Sequence, residues 1–326
     1  MGHRKKSAPR RGSLAYRPRA RASRILPRVR NWPSVDEVRL LGFPAYKAGM
    51  IHVITIDDRQ TTPNFGKPLF NASTVLACPP AFLLGFRAYV RDAYGLKSFS
   101  EVYSDKLPKD LDRKVRIRPN PDALKKIEEN LDRIECFRAI LYTRPKDAGL
   151  SQKKPFVFEV GVGGGVKEQF EYLKSKLGKE LRVGEVFKPG SYVDTIGITK
   201  GKGFEGPITR FGVKRKHHKS RKTVRAVAVI GPWHPASVMY TVPMAGQMGF
   251  HQRTEYNKRV LAIGSASPDN PFPPNGFFEH FGVIRTDYII LRGSVQGPPK
   301  RLIILRESIR AKGKVKEPKI IEVSVG

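Results

Sequence analysis

The sequence has very little cysteine. Cys78 and Cys136 are the only two in 326 residues, and neither has a second cysteine nearby. A CxxC metal site is therefore excluded, and a disulfide framework is not expected because such frameworks need several cysteines. Two isolated thiols predict a protein of a reducing compartment.

Long apolar runs are also absent. A membrane-spanning helix needs roughly 18 or more apolar residues, whereas the most apolar stretch, 75–86, is interrupted by Pro79 and Pro80. The N-terminus begins with basic residues but no apolar segment follows, so no secretory signal is predicted. At 40% hydrophobic residues the chain can bury one large core or two smaller ones. We expect a soluble, cytoplasmic protein with no membrane partner.

Acidic residues are missing from two tracts that are rich in lysine and arginine. Residues 1–30 contain eleven basic residues and no acid, and residues 200–225 contain ten with Glu205 as the one acid. Together they carry +20 of the net charge of +32. Because such tracts repel themselves unless a polyanion neutralises them, they predict binding to nucleic acid.

The remaining sequence is typical of a mainly β fold with one α/β block. Short apolar runs bounded by turn residues predict strands at 50–56, 74–78, 82–90, 156–160, 183–199, 225–230, 239–242, 288–291 and 302–305. The last two are expected to pair with each other across a turn-rich stretch. Many short strands around one α/β block favour a β-barrel with an insertion.

Two helices are predicted within the α/β block. The first follows Asn120, a capping residue, and Pro121 at the first helical position; its apolar face is Leu124, Ile127, Leu131 and Ile134. The second ends at Gly178, and its apolar face is Phe170, Leu173 and Leu177. Residues 97–150 have a net charge of only +3, so this block is expected to face solvent more than nucleic acid.

A glycine-rich turn at 161–165 joins a predicted strand to the second helix, where a phosphate could bind. It fails as a dinucleotide fingerprint because Val166 stands at the third glycine position, and no Gly-Lys-Ser/Thr follows. We therefore interpret it as a tight connection. The alternative, an RNA-modifying enzyme that binds a nucleotide cofactor at the Gly161–Gly165 turn, remains open at this point.

Catalytic and metal-binding patterns are weak. The histidines at 217, 218, 234 and 251 have no cysteine or clustered carboxylate to join them as ligands, and no Ser-His-Asp or Cys-His arrangement stands out. The pair Asp57–Asp58 is interpreted as ordinary turn residues. We expect no catalytic residue, no metal and no cofactor.

The strongest pattern runs from Phe187 to Trp233. The glycines at 201, 203 and 206 permit positive φ and a close backbone approach to phosphate, and Lys200, Lys202 and Arg210 supply charge. The basic tract follows, and then Trp233 and His234 stand between two prolines as an aromatic tip that could stack on an unpaired base. The alternative interpretation is a solvated loop with a tryptophan in the core.

At these residues the chain resembles the universal ribosomal protein L-three family. The archaeal and eukaryotic branch of that family adds an N-terminal arm like residues 3–16, the GxWHPA element at 231–236 and MAGQMG at 244–249, all of which stand here. The family signature is matched by Phe187, Asp194, Gly197, Thr199, Gly201, Lys202, Gly203, Gly206 and Arg210.

The resemblance implies an α+β, mainly β fold: a six-stranded translation-protein-type β-barrel with an inserted α/β subdomain, a long central finger loop and an extended N-terminal arm. The expected divisions are an arm at 1–36, a barrel body at 37–86 and 183–326 containing an RNA-penetrating extension at 211–262, and the insert at 87–182. The arm and the extension are expected to be disordered until RNA binds, because neither can bury enough apolar surface alone.

The resemblance also implies a structural, non-enzymatic protein of the large ribosomal subunit. Its partners would be large-subunit (23S-type) rRNA, near the 3′ end, and neighbouring ribosomal proteins, with no DNA and no homo-oligomer. It would act early in subunit assembly and send a basic finger towards the peptidyl-transferase centre.

The predicted RNA-binding residues come from both tracts and from the segment that follows the second. They are Arg4, Lys5, Lys6, Arg10, Arg11, Arg17, Arg19, Arg21, Arg24, Lys200, Gly201, Lys202, Gly203, Arg210, Lys214, Arg215, Lys216, His217, His218, Lys219, Arg221, Lys222, Arg225, Trp233, His234, Gln247 and Arg253.

Removal of residues 1–30 tests the role of the arm. The deletion takes away eleven basic residues, so binding to large-subunit rRNA is expected to weaken and its dependence on salt to become shallower, because fewer counterions are released. Titrations at several salt concentrations measure both quantities. An unchanged salt slope would count against the arm as a phosphate-binding element.

Overall fold

The computed structural model describes residues 9–274, 276–311 and 316–324, and the fold in these ranges is mainly β. None of the described helices is long and apolar enough to cross a membrane. The strands are β1 (Gly42–Ile56), β2 (Pro68–Ala77), β3 (Ala81–Asp92), β4 (Gly95–Tyr103), β5 (Cys136–Thr143), β6 (Phe156–Gly161), β7 (Glu180–Leu181), β8 (Tyr192–Ile198), β9 (Gly201–Glu205), β10 (Gly246–Gly249), β11 (Gln252–Gly264), β12 (Tyr288–Arg292), β13 (Leu302–Glu307) and β14 (Ile320–Ser324).

The helices are few and short. They are α1 (Asp122–Glu128), α2 (Val166–Lys176), α3 (Val183–Val186) and α4 (Pro207–Phe211), with 3-10 turns at Lys109–Arg113, Leu131–Arg133 and Pro145–Ala148. The chain divides into two compact units. The first, which we call the basic unit, comprises Met1–Arg24 and Ile198–Gln252; the second, the body, comprises Ile25–Gly197 and Arg253–Gly326.

The main sheet of the body has a closed cycle of strand pairings. Strands β13, β8, β11, β12, β2 and β1 neighbour one another in that order, and β13 also pairs with β1. Strand β1 is long enough to pair with β13 through Gly42–Tyr46 and with β14 through His52–Thr55. Buried side chains of four of these strands, Phe43, Leu76, Leu291 and Ile303, belong to one core cluster. Apolar burial of this kind is the main favourable contribution to folding.

The second sheet of the body has the order β4-β3-β5-β6, with β7 paired to β3. Helix α2 lies against it, and three aromatic rings at this contact, those of Phe86, Phe137 and Phe170, lie within 6 Å of one another. The expected apolar face of α2 is confirmed for Phe170 and Leu173, which are buried. The residue after its C-cap is Gly178, at φ +75°, as predicted for a helix end.

The glycine-rich turn at 161–165 is a tight strand-to-helix connection, as the favoured interpretation has it. The amide of Gly163 donates to the Arg39 carbonyl (2.9 Å), that of Gly164 to the Val35 carbonyl (2.7 Å) and that of Gly165 to the Glu168 carboxylate (3.0 Å). A Cβ on Gly163 would lie 2.5 Å from the Glu37 carbonyl oxygen. These three amides are therefore already used by the protein, which leaves the nucleotide-cofactor alternative unsupported.

Helix α1 is shorter than the apolar pattern predicts. It starts at Asp122, one residue later than predicted, with Pro121 in the capping position, and Oδ1 of Asn120 accepts the amide of Asp122 (3.1 Å). It ends at Glu128, and Leu131 lies in a separate 3-10 turn. The apolar spacing continues across this break because Ile127 and Ile134 are both buried in the same core cluster.

Three strand predictions are wrong in an instructive way. The runs 225–230 and 239–242 form no strand, since β9–β10 is the pairing that the structure describes between the strands of the basic unit. The run 183–199 is divided: Val183–Val186 is helical, Gly190 has φ +84°, and the strand starts only at Tyr192. Apolar runs form strands only where a partner edge is available.

The expected pairing between 288–291 and 302–305 is also wrong. Both segments are strands, but β12 lies between β11 and β2, and β13 lies between β8 and β1. The turn-rich connection binds β1 instead: the Lys300 amide donates to the Lys47 carbonyl (2.8 Å), and Nζ of Lys47 donates to the Gly297 carbonyl (3.1 Å). Both edges of each strand are used to close the cycle.

Asp194, a residue of the family signature, stabilises the body. Its side chain is fully buried and pairs with Arg306, which is 6% exposed, at 2.7 Å. The same carboxylate accepts the amides of Asn257 (3.0 Å) and Ile309 (3.3 Å), and Nη1 of Arg306 donates to the Asn31 carbonyl (2.8 Å). A buried pair tolerates the loss of neither partner, since the remaining charge is left without compensation.

Replacing Asp194 with Asn is expected to lower the free energy of unfolding by about 3–5 kcal/mol, because Arg306 then stays buried without a counter-charge. Chemical denaturation of the full chain, followed by circular dichroism, measures the change. The matched control is Asp269→Asn, which removes the same charge from an exposed loop position. Equal unfolding midpoints for the two variants would contradict this role of Asp194.

Candidate nucleic-acid interface

The basic unit contains nineteen lysines and arginines against one acidic residue, Glu205. The body contains 42 basic and 28 acidic residues, so the imbalance belongs to the smaller unit. Side chains of one sign repel one another, and a unit with one carboxylate cannot rely on ion pairs. Its contacts must therefore come from other groups.

Phe211, at the end of α4, is the centre of one such set of contacts. It is 7% exposed, and the guanidinium carbons of Arg19, Arg210 and Arg17 lie 4.1, 5.2 and 6.0 Å from its ring centroid. A Cβ on Gly12, which has φ +74°, would lie 2.4 Å from the same ring. Cation–π contacts of this kind contribute about 0.5–2 kcal/mol each. The aromatic ring thus joins the arm to α4 without an acidic partner.

Arg210 stabilises the segment that contains the MAGQMG element through hydrogen bonds to its backbone. Its Nε donates to the Gln247 carbonyl (3.0 Å) and its Nη1 to the Met244 carbonyl (3.0 Å). A Cβ on Gly246 would lie 2.9 Å from Nη1, so a side chain at this position would displace the Arg210 guanidinium. Burial lowers the pKa of the Arg210 guanidinium, and the nearby charge of Arg17 lowers it further. Arg210 therefore has an internal role that its place in the basic tract does not predict.

Strands β9 and β10 bring the two glycine clusters together. Gln247 pairs with Phe204 and Met248 with Gly203. Of the three glycines at which positive φ is permitted, Gly203 adopts it, at +70°, whereas Gly201 does not and Gly206 has φ −70°. The Gln247 side-chain amide donates to the carbonyls of Met248 (3.2 Å) and Gly249 (3.0 Å), so both of its hydrogens have backbone acceptors.

His251 holds the arm against the returning end of the extension. It is 8% exposed, and its Nδ1 donates to the Ala20 carbonyl (2.8 Å). Its amide donates to Oγ1 of Thr199 (3.1 Å), and the amide of Ala22 donates to the Phe250 carbonyl (2.8 Å). His251 is thus a structural residue. No signal local to either tract could have predicted this contact, because its partners lie more than 200 residues apart.

The basic tract at 214–225 folds back on itself. The amide of Lys216 donates to the Val224 carbonyl (3.0 Å), and that of Ser220 to the His217 carbonyl (3.0 Å). The rings of His217 and His218 lie 4.2 Å apart between centroids, and both are exposed. Within the described residues, no group of three His, Cys, Asp or Glu side chains is placed to hold a metal ion. The tract presents a dense set of cations to its surroundings.

The segment that follows, residues 226–252, has no Lys, Arg, Asp or Glu, and its residues 228–240 are exposed. Trp233 is 88% exposed, Val229 72% and Tyr240 71%, so the interpretation of Trp233 as a core residue is wrong. Exposed apolar side chains on this scale are typical of an interaction surface. The extension therefore has a basic part and an uncharged apolar part.

Most of the predicted RNA-binding residues are accessible. Arg4, Lys5 and Lys6 lie outside the described residues, and Arg253 belongs to the body. Half-buried positions are Arg17, Arg19, Lys216, Arg210, Gln247 and Arg253. The exposed ones are Arg10, Arg11, Arg21, Arg24, Lys200, Gly201, Lys202, Gly203, Lys214, Arg215, His217, His218, Lys219, Arg221, Lys222, Arg225, Trp233 and His234.

A mainly β body joined to an acid-poor basic unit is consistent with a ribosomal protein. Comparisons with known proteins find the same class. The sequence model described as ribosomal protein L3 matches residues 1–324. The chain therefore belongs to the ribosomal protein L3 family, whose members are structural proteins and not enzymes. The resemblance found in the sequence is confirmed.

Archaeal relatives match along almost their whole length. The chain is 47% identical over 323 residues to large ribosomal subunit protein uL3 of Methanocaldococcus jannaschii, covering 97% of this chain and 96% of the relative. Proteins of the same name from Archaeoglobus fulgidus (47% over 309 residues, 93% and 92% covered) and Methanococcus aeolicus (44% over 310 residues, 94% and 92% covered) are similar.

Replacing Phe211 with Leu tests the contacts between the arm and α4. Leucine keeps an apolar side chain but removes the π-face, so the arm is expected to lose about 1–2 kcal/mol of local stability. Hydrogen exchange at the Ala22 amide should accelerate by roughly tenfold, which corresponds to about 1.4 kcal/mol. The control is Phe204→Leu, at a position 80% exposed. Equal exchange rates in the two variants would contradict the role of Phe211.

Proposed function

We propose that the chain is a structural rRNA-binding protein of the large ribosomal subunit, in which the basic unit is the principal RNA-binding element. The observation that carries this proposal is the set of nineteen cations and one acid gathered in one compact unit. RNA phosphates would neutralise this charge and release counterions. The names of the archaeal relatives support the same assignment.

Two kinds of contact are proposed for the extension. Cations of the tract 214–225 would bind phosphates, which fixes position on the RNA without reading bases. The uncharged segment 226–252, with Trp233 and His234 exposed, would contact unpaired bases by stacking. Both parts would extend from a base that is stabilised by Arg210, Gln247 and His251. Gln247 could contact RNA only if its side-chain amide gave up its present hydrogen bonds to backbone carbonyls.

Membership of the family supports finer proposals. The closed six-strand cycle is proposed to be the translation-protein-type barrel, with divisions at 1–36, 37–86 with 183–326, and 87–182, and an extension at 211–262. The protein would bind near the 3′ end of 23S-type rRNA during early assembly, and its finger would approach the peptidyl-transferase centre. Its other partners would be neighbouring ribosomal proteins, with no DNA and no second copy of the chain, in the cytoplasm.

Replacing Trp233 with Ala separates the two kinds of contact. Loss of one stacked base is expected to cost about 1–3 kcal/mol, so affinity for a 23S-type rRNA transcript should fall roughly 5- to 150-fold while its salt slope stays unchanged. The matched control, Arg221→Gln with Lys222→Gln, should instead make the slope shallower by about 0.7–0.9 for each phosphate that is no longer bound. Titrations at four salt concentrations measure both.

The thermal midpoint of the body provides the second readout. Trp233 is 88% exposed, so its replacement should leave the midpoint nearly unchanged. A large drop in the midpoint would mean that Trp233 supports the fold. Unchanged affinity in both the Trp233 variant and the Arg221/Lys222 control would contradict the proposed function.

A further inference from the structure

A group of three arginines and two carboxylates lies on the body, outside both basic tracts. Asp57, Asp58 and Arg59 follow β1, Arg259 lies in β11 and Arg292 ends β12. Interpreted from the sequence as ordinary turn residues, Asp57 and Asp58 turn out to be the acidic partners of this group. It has one more positive than negative charge.

Two of the arginines are paired with the two carboxylates. Arg59 donates through Nε and Nη2 to both oxygens of Asp57, at 2.9 Å each, and these bonds hold the pKa of Asp57 well below its usual range. Arg259 donates to both oxygens of Asp58 (2.8 and 2.5 Å) and to the Lys316 carbonyl (2.9 Å). Bidentate contacts of this kind are among the stronger charge-assisted hydrogen bonds, and each carboxylate here is bound by one arginine.

Arg292 is the third cation. Among the described residues its side chain has no hydrogen bond, ion pair or ring contact. It is half-buried, yet none of its nitrogens is both sealed from solvent and unpartnered, so the guanidinium reaches the surface. Burial lowers the pKa of Arg292 and the charge of Arg59 lowers it further, whereas the charge of Asp57 raises it.

The strand register makes this arrangement unfavourable in the free protein. Val260 of β11 pairs with Leu291 of β12, which places Arg259 and Arg292 at the next positions of the two strands. Arg292 itself pairs with Ser73 of β2, a neutral residue. Like charges directly opposite each other on adjacent strands are destabilising. Arg292 forms no ion pair among the described residues, and Asp57, whose negative charge acts on it, is already bonded to Arg59.

An exposed aromatic ring lies at the same place. Tyr192, in β8, is 37% exposed. It follows Ser191, whose carbonyl accepts the amide of Val260 (2.8 Å), so Tyr192 lies next to the strand that carries Arg259. A guanidinium fork beside an accessible aromatic face fits a nucleotide, since the fork binds the phosphate and the ring stacks on the base. An acidic peptide would use the charge but not the ring.

We propose that Arg292, with the outer side of Arg59 and the ring of Tyr192, forms a binding site on the body for an RNA phosphodiester and its adjacent base. This site is separate from the basic unit, and it rests on the proposed rRNA-binding function. The pairs Arg59–Asp57 and Arg259–Asp58 act as its frame, and Arg292 supplies the charge that remains for the ligand.

The test compares Arg292→Gln with Lys97→Gln in the full chain. Lys97 is an exposed residue of β4 with no described ion pair, so both variants lose one positive charge. Against a 23S-type rRNA transcript, Arg292→Gln should lower affinity roughly tenfold and make the salt slope shallower by about 0.7–0.9, whereas Lys97→Gln should change neither. Tyr192→Leu should lower affinity with an unchanged slope.

Stability without RNA provides an independent readout. Removing Arg292 removes a like-charge contact, so the thermal midpoint of Arg292→Gln should stay equal or rise while RNA binding weakens. A midpoint several degrees lower would assign Arg292 a structural role and overturn the site. The site would also be overturned if Arg292→Gln bound rRNA as tightly as Lys97→Gln does. It would be overturned as well if Arg292→Gln lost binding to a hexaglutamate peptide while it still bound rRNA normally.

These outcomes are distinguishable from failure of the proposed function. If Arg221→Gln with Lys222→Gln weakens rRNA binding and Arg292→Gln does not, the site on the body is refuted and the function of the basic unit stands. If none of the variants changes binding, the proposed function itself is refuted.

Discussion

Electrostatic repulsion among cations of one sign is the constraint on which the basic unit depends. With Glu205 as its only acid, the unit cannot be held by ion pairs, and its contacts use two other kinds of acceptor. One is the π-face of Phe211, around which three guanidinium groups gather. The other is the backbone carbonyl, which accepts from Arg210 and His251. Both leave the net charge undiminished, so it remains available to a polyanion.

In the body, by contrast, acidic side chains neutralise buried and half-buried arginines. Asp194 neutralises Arg306 in the core, and adjacent carboxylates after β1 take one arginine each. Arg292 differs from these arginines. Arg59 and Arg259 beside it are paired with carboxylates, whereas Arg292 forms no ion pair among the described residues. A positive charge that the fold does not neutralise is a candidate for neutralisation by a ligand. In both proposals, positive charge that the protein does not neutralise is available to RNA, in different amounts in the two units.

Sequence reasoning succeeded where a property belongs to a segment by itself. The acid-poor tracts, the exposed Trp233 between prolines, the apolar face of α2 and the tight glycine turn could all be predicted from local composition and spacing. It failed where the answer depended on a partner. The runs 225–230 and 239–242 have the apolar character of strands but no edge to pair with, and β12 and β13 pair with other strands because the cycle closes. The hydrogen bonds of Arg210 to three backbone carbonyls also depend on the fold and could not be predicted from its position in the signature, and RNA binding by Arg210 stays a prediction.

The sequence by itself determined the chemistry of this protein. Net charge and side-chain type do not depend on folding. The charge imbalance, the family signature and the aromatic tip can therefore be identified from the sequence alone. The tertiary structure alone decided which cations are engaged and which are available. Ala20 and His251, or Arg259 and Arg292, meet only because the chain folds back across long separations, and the distances between them determine whether a charge is satisfied within the protein or left for RNA.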